Sequence, residues 1–382
     1  MIPLSSPDIT EAERKAVQDV LKTPVLSLGP QIRAFEKALA KFAGRKYAVA
    51  VNSGTAGLHL IIRSLGIGSG DEVITTSFSF IASANAMLFE QAKPMFVDIQ
   101  KDTFNIDPAE IERAIRPGRT KAILAVDVFG QPAAWDKILA IAKKYRLKVI
   151  EDSAEAIGAT YRGKKCGSFG DASIFSFYPN KQMTTGEGGV ILTDDKKIAD
   201  LCWSMTNQGR KQGKGKWLEH VRLGYNYRMT EMQAALGLAQ LRRLPQMLEK
   251  RAAAASLYST LLSQEKRIIL PARNALRSEA GRPASQTSWF VYVIMLAPPF
   301  KRSHRDKLVK LMAKKGVQCS TYFEPIHLQP FYRQAFGFKR GRLPRTEWAG
   351  DRTIALPFSS VLKPKQQQKV IKILRESIRQ LS

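Results

Sequence analysis

Tyr47-Ala48-Val49-Ala50-Val51-Asn52-Ser53-Gly54-Thr55-Ala56-Gly57 joins an apolar, β-suited run to a turn of small residues, and a helix-like run, Gly57–Ser64, follows directly. Strand, small-residue turn and helix in that order is the first unit of an α/β fold. The alternation recurs. Strand-like runs fall at Glu72–Thr76, Pro94–Val97, Ala122–Val126, Lys148–Glu151, Ala172–Phe177 and Gly189–Leu192. Helix-like runs at Ser83–Gln91, Pro108–Ile115 and Trp135–Lys144 lie between them, and Asp107-Pro108 reads as a cap followed by proline at the first helical position. Roughly the first two-thirds of the chain therefore predicts an open, mostly parallel sheet with helices on both faces. A long helical run, Thr230–Tyr258, interrupted by Pro245, leads out of it. Strand-like Trp289–Leu296, helix-like His304–Lys315 and a final helix Lys363–Leu381 predict a smaller α+β domain. The division expected is a large domain over 1–245, with its N-terminal segment, and a small one over 246–382.

Composition narrows the class. The 382 residues are 44% hydrophobic, ordinary for a chain that buries a sizeable core. No stretch approaches the roughly 18 apolar residues that a membrane span needs. The opening MIPLSSPDITEAERK has no apolar signal region, so a cytoplasmic protein is expected. Cys166, Cys202 and Cys319 show no metal-ligand spacing, and their odd number argues against a disulfide framework; no metal is expected. The charge is less ordinary: 60 Lys and Arg against 33 Asp and Glu give +27 and a pI near 10.1. Such a field draws anions, whether nucleic acid, an anionic membrane face or phosphorylated small molecules. The cations are spread out, apart from the loop Arg210–Lys216 and a basic C-terminal third, with no zinc-finger or aromatic RNA-binding signature beside them.

Ligands of an open parallel sheet gather beyond the carboxyl ends of its strands, and four loops there carry chemistry. Asn52–Gly57 reads equally as an anion cradle at a helix N-terminus and as a turn kept small for packing. In Val149-Ile150-Glu151-Asp152-Ser153-Ala154-Glu155, Asp152 reads as a helix cap, as a metal ligand, or as the buried carboxylate that a protonated pyridine nitrogen requires. Ser173-Ile174-Phe175-Ser176-Phe177-Tyr178-Pro179-Asn180-Lys181 delivers a hydroxyl and then a lysine into a turn followed by Thr184-Thr185-Gly186-Glu187-Gly188-Gly189. Most lysines are solvated surface groups, whereas this one follows a buried-looking strand, the setting that lowers an amine's pKa for Schiff-base chemistry. Gly224-Tyr225-Asn226-Tyr227-Arg228-Met229 is by itself only a polar turn before a helix.

Taken as an ordered set, these segments resemble the DegT/DnrJ/EryC1/StrS family of sugar aminotransferases, built on the fold type I, aspartate-aminotransferase scaffold. The set also includes IPLSSPDITEAE, LGPQIRAFE, PMFVDI with TFNID, YFEPIHLQPFYR and ALPFSS, and spans about residue 2 to residue 380. The resemblance implies pyridoxal 5'-phosphate (PLP, cycling with its amine form PMP) as cofactor, with Lys181 as the Schiff-base lysine and Asp152 as the partner of the ring nitrogen. It implies Gly54, Thr55, Ala56 and Ser176 around the phosphate, and Phe80 stacked on the ring. Asn226 is implied to reach the phosphate of a neighbouring subunit, hence a homodimer with shared sites. Three features depart from the family: Glu155, Asp127, and the absence of the usual Ser-Gly-Trp run before Leu28-Gly29-Pro30, where Lys22-Thr23-Pro24 stands instead. The resemblance implies Glu155 as a cofactor contact near the ring hydroxyl, where members often carry Gln or His, so that it either sits protonated or pairs with a cation. Asp127 replaces a frequent His.

Because Lys181 is a lysine, where a dehydratase branch of the family has histidine, the resemblance implies transamination. An amino-acid donor, L-glutamate, and a nucleotide-linked keto-sugar are the expected partners, a 4-keto-sugar favoured over a 3-keto-sugar. Arg222, Tyr322, His327 and the basic loop Arg210–Lys216 are the substrate-facing candidates. The alternative is a regulator or nucleic-acid-binding protein that uses the PLP fold without transaminase activity; the intact lysine, aspartate and cradle weigh against it, and no specific nucleic acid is expected. Electrostatic association with an anionic membrane is compatible with either reading.

Overall fold

The computed structural model describes residues 1–211, 218–272 and 285–381. Its main sheet has seven strands in the order Tyr47–Val51, Gly189–Thr193, Ala172–Ser176, Lys148–Asp152, Thr120–Val126, Glu72–Thr76 and Lys93–Val97. Neighbours are parallel except that Gly189–Thr193 runs antiparallel to both of its neighbours. Side chains alternate across a strand, and both faces here are apolar. Val49 and Val51 enter one core with helices Gly54–Ser64 and Lys196–Thr206, while Ala48 and Ala50 enter another with helices Pro30–Ala43 and Glu231–Leu262. The same split separates Ala122, Leu124 and Val126 from Ile123 and Ala125. A sheet covered on both faces must place its ligand at a strand end.

Two expectations shift. The helix expected from Gly57 starts at Gly54, with Ser53 as its cap accepting from Ala56 N at 3.1 Å, so the small-residue turn is itself the first helical turn. The helix after Thr230 is not interrupted by Pro245: Glu231–Leu262 is one element of 32 residues. Proline removes a single intrahelical bond, and buried Leu244 and Met247 on either side hold the helix to the core.

A second sheet, Ile268–Ile269, Tyr292–Leu296 and Thr353–Leu356, is antiparallel and covered by helices Arg302–Lys314 and Pro364–Arg379. The chain's first residues join it: Ile2 pairs with Val317, and Leu4 O accepts from Phe358 N. Apolar packing is continuous between the sheets, for Phe290, Val293 and Phe323 share a core with Leu124 and Val126.

Candidate active site

Adjacent strand ends assemble the centre. The strand Lys148–Asp152 ends on Asp152, whose Oδ2 accepts from Ser83 Oγ at 2.7 Å and whose Oδ1 accepts from Ala154 N at 3.2 Å. Burial raises the Asp152 pKa, while those donors and the Lys181 amine act against the rise. The neighbouring strand Ala172–Ser176 leads through Tyr178-Pro179 to Lys181, whose side chain is only 11% exposed. Burial pushes the Lys181 amine below its ordinary value, and the charges of Glu155 and Asp152 partly restore it. Glu155 Oε1 stands 3.7 Å from Lys181 Nζ, and its Oε2 accepts from Phe129 N at 2.8 Å. Phe129 makes that bond from a left-handed backbone (φ 59°), unusual for a bulky residue. Of the two roles open to Glu155, the geometry is that of a partner to a cation.

Several groups that hold Lys181 are not apparent from its own segment. Its Nζ lies 4.0 Å over the ring of Phe290. Its carbonyl accepts from Arg251 Nη2 at 2.9 Å, and Arg251 Nη1 reaches the carbonyls of Phe290 at 3.1 Å and Trp289 at 3.3 Å. Arg251 is a fully buried guanidinium bonded to carbonyls, and burial lowers its pKa to about 10. No local pattern in the long helix marks this residue; the signal is an arginine in an otherwise Ala-rich apolar run, Arg251-Ala252-Ala253-Ala254-Ala255.

The anion end is formed by the first turn of Gly54–Ser64. A Cβ on Gly54 would lie 2.9 Å from Ser176 Cβ, and one on Gly189 would lie 2.9 Å from the Ser53 carbonyl and Gly54 N, so backbone and Ser176 hydroxyl meet with no room to spare. Helix first-turn N–H groups lack intrahelical acceptors; that of Ala56 is taken by Ser53 here, leaving Gly54 and Thr55 as the sharper candidates. Phe80 is 64% exposed, on the loop whose Ser83 donates to Asp152. Asn226 is also exposed, on a segment fixed from within: Tyr225 and Tyr227 stack at 4.9 Å, and His59 bridges Tyr227 and Glu90.

The substrate-facing candidates separate. Tyr322 is half-buried, packed on Phe290 and Phe129, with Glu155 and Asn180 near its hydroxyl. Arg222 is exposed and donates to Ser204 Oγ. His327 does not face the site. It is 0% exposed, with Nδ1 on Ser77 Oγ at 2.7 Å and Nε2 on Glu347 at 3.0 Å, and it ties the Phe80 loop to the second sheet's connections. Residues 212–216 of the basic loop Arg210–Lys216 lie outside the described residues. Asp127 is fully buried, accepting from Ala133 N, Trp135 Nε1 and Ser153 Oγ.

The arrangement places a desolvated amine between carboxylates at the sheet's carboxyl edge, with an anion cradle between Ser176 and the first turn of Gly54–Ser64. The family model for the DegT/DnrJ/EryC1/StrS aminotransferase family matches residues 7–375. The chain is similar to the GDP-perosamine synthase of Caulobacter vibrioides, 41% identical over 332 residues, covering 87% of this chain and 86% of that protein. Its fold is similar to Helicobacter pylori PseC, an aminotransferase involved in the biosynthesis of pseudoaminic acid, with TM-score 0.93, 30% identity and 99% of each chain covered. It is likewise similar to Streptococcus pneumoniae Spr1654 in PMP-form, with TM-score 0.93, 28% identity and all of each chain covered.

Proposed function

The chain belongs to the DegT/DnrJ/EryC1/StrS aminotransferase family, and we propose that within it this protein moves an amino group from L-glutamate to a nucleotide-linked keto-sugar, with a 4-ketone favoured over a 3-ketone. The observation that carries the reading is Lys181, a buried amine with a depressed pKa beside Asp152 and Glu155. The name of the Caulobacter relative, a GDP-perosamine synthase, supports a nucleotide-linked sugar, and the positive field supports an anionic substrate.

The family, together with the PMP- and PLP-forms of Spr1654, implies PLP as cofactor. The residues fit it. Gly54 and Ser176 leave a cradle that a Cβ would fill, Asp152 offers a buried carboxylate, and Asn180 Oδ1, next to Lys181, is buried without a partner among the described residues. When bound, the cofactor supplies a carbonyl that condenses with amines and a protonated ring that draws electrons from the adjacent carbon. Lys181 would hold it and then move the proton at the substrate carbon. Asp152 would keep the ring nitrogen protonated, with Ser83 orienting the carboxylate. Gly54, Thr55 and Ser176 would grip the phosphate, and Phe80 would cover the ring face.

A homodimer with shared sites belongs to the same proposal. Val25, Leu26, Leu28, Phe89 and Val221 are exposed apolar side chains that a second copy would cover while bringing Asn226 across. Two parts, 1–245 and 246–382, are proposed from the separate sheets that the long helix spans. The test is borohydride reduction of the purified protein followed by peptide mapping. Label is expected on Lys181, and Lys181→Ala should lose both label and turnover, the latter by about 10³-fold or more. Label on another lysine refutes the assignment. Turnover of a panel of 4-keto and 3-keto nucleotide sugars identifies the acceptor, and sequence-specific DNA binding without turnover of any of them would establish the regulator instead.

A further inference from the structure

The positive charge is unevenly placed. Residues 246–382 carry 26 Lys and Arg against 8 Asp and Glu, so little more than a third of the chain holds two-thirds of the excess. None of the chemistry above needs it there. Its outer layer is the pair of helices Arg302–Lys314 and Pro364–Arg379, each buried on one side against the second sheet. They are neighbours running in opposite directions, for Lys315 meets Glu376 at 3.2 Å while Lys307 donates to the Gln380 carbonyl at 2.8 Å.

Lysines mark the outward stripe of both helices. Lys307, Lys310 and Lys314 recur at spacings of three and four, and Lys365, Lys369 and Lys372 at spacings of four and three; each set is one face of a helix, and all six are exposed. Lys310, Lys314, Lys365, Lys369 and Lys372 have no carboxylate within ion-pair distance among the described residues. The two acids of these helices are already engaged, Asp306 with Arg305 and Glu376 with Lys315. A shallow depression beside the stripe is lined by Leu261, Gln368, Lys372 and Arg375.

We propose that this two-helix lysine face docks the protein on an anionic lipid bilayer. Two neighbouring helices, each with its lysines on the side away from the sheet, offer charge to a plane of anionic headgroups. Each lysine near such a surface contributes, and the contributions require no fixed geometry because headgroups move laterally. Nucleic acid is the lesser fit. Of the outward cations, six are lysines, point charges without arginine's forked donors, and Arg379 at the end of the second helix is the one exposed arginine among them; no aromatic residue accompanies them in the stripe for stacking on bases. The apolar residues assigned to the dimer lie elsewhere, so the face stays open in a dimer.

The test uses the full-length protein with its cofactor and phosphatidylcholine vesicles with or without phosphatidylglycerol, read by co-sedimentation. Binding is expected only with phosphatidylglycerol present and should fade as salt shortens the Debye length. Reversing Lys365, Lys369 and Lys372 together to Glu should weaken it by about a hundredfold or more. A control reverses Lys137, Lys143 and Lys164, exposed lysines remote from these helices, and thus removes the same net charge. Both triple variants should turn over like the parent, which shows that they are folded. Equal loss in the two triples would overturn the proposal, because it would make the effect one of net charge. No binding to anionic vesicles overturns it too. So does a duplex DNA that binds through the same three lysines more tightly than the vesicles at matched salt, since the partner would then be nucleic acid.

Discussion

Glu151 and Asp152 are consecutive residues of one strand, point to opposite faces of it, and live in different chemistries. Asp152 shares its pocket with Glu155 and the Lys181 amine, a cation that offsets part of the cost of burying charge. Glu151 shares its pocket with Asp127 and the Cys166 thiol, and among the described residues no Lys, Arg or His pairs with it. Its oxygens accept from Gly167 N at 2.6 Å and Phe169 N at 2.7 Å, and Ser153 Oγ lies 2.7 Å from Glu151 Oε1 and 2.6 Å from Asp127 Oδ2. A hydroxyl has one hydrogen, so it satisfies only one of the two carboxyls as an ion; the other must hold a proton of its own. Burial together with the Asp127 charge drives the Glu151 pKa far up, which identifies it as the protonated member. One cluster thus sets carboxylates against a cation and is open to chemistry, and the other holds one ionised and one protonated carboxyl and fastens the turns 127–135 and 166–169.

The largest contrast comes from one substitution on each side. Asp152→Asn should fold with nearly the parent's stability and lose transamination by on the order of 10²-fold or more, because a carboxamide does not stabilise a protonated ring nitrogen. Glu151→Ala should do the reverse. It strands two buried N–H donors, at a cost of roughly 3 kcal/mol in stability, while turnover per folded molecule stays within a few-fold. Urea midpoints and turnover measured on both variants decide it, and the comparison collapses if Glu151→Ala is the less active per folded molecule.

Arg251 sets the scale of the next effect. It holds the Lys181 carbonyl and those of Phe290 and Trp289 with one guanidinium, so Arg251→Met should loosen the lysine without removing it. Turnover should fall by about tenfold, in line with a group that positions another, with borohydride labelling of Lys181 retained. Arg251→Lys should recover only part, since a point charge does not span three carbonyls. Full activity in Arg251→Met would show that the lysine turn holds itself.

How far these features could be read from the chain follows their range. The places of Lys181 and Asp152 at or beyond strand ends were legible because strand, small-residue turn and helix are local patterns, and the structure puts a strand where each run was expected, to within three residues, the largest difference being a start at Tyr292 in place of Trp289. The helices Glu11–Leu21 and Pro30–Ala43 were missed although both are signposted, by Thr10 with Glu13 and by Gly29-Pro30 with Gly44. Pro245 was overread, because a local rule about proline yields to the burial of its neighbours. His327, Arg251 and Phe290 are tertiary. Nothing within several residues of His327 tells that Ser77 and Glu347 will close over it, and a ring that packs on the Lys181 amine from the distant segment at 290 has no sequence periodicity to betray it.

Asp127 carries a smaller, pH-dependent signature. Its folded value, raised by burial from 3.8 to about 6, lies above the unfolded one. Such a group favours the fold while protonated, at pH below about 4, and that contribution is lost as pH climbs through about 6. An amide imitates the protonated acid, accepting from Ala133 N and donating to Ser153. The melting temperature of Asp127→Asn relative to the parent should therefore rise across this interval. A difference that is flat with pH would mean that Asp127 is ionised throughout.

Glu155→Gln should give the smallest change, and it asks to which of the two clusters Glu155 belongs. Burial raises the Glu155 pKa as it does that of Glu151, but the Lys181 charge 3.7 Å away opposes the rise. If the carboxylate is ionised, it helps to hold the proton on Lys181, and removing the charge must lower the lysine's pKa further than burial already does. Gln keeps an acceptor for Phe129 N, so the backbone there need not move. The turnover of Glu155→Gln should then stay within a few-fold at its optimum, with the acid limb of the kcat–pH profile displaced to lower pH, because Lys181 becomes a neutral base sooner. If Glu155 is instead protonated like Glu151, the amide replaces one neutral group by another and the limb stays in place. The position of that limb therefore tells whether Lys181 works opposite one buried negative charge, on Asp152, or two.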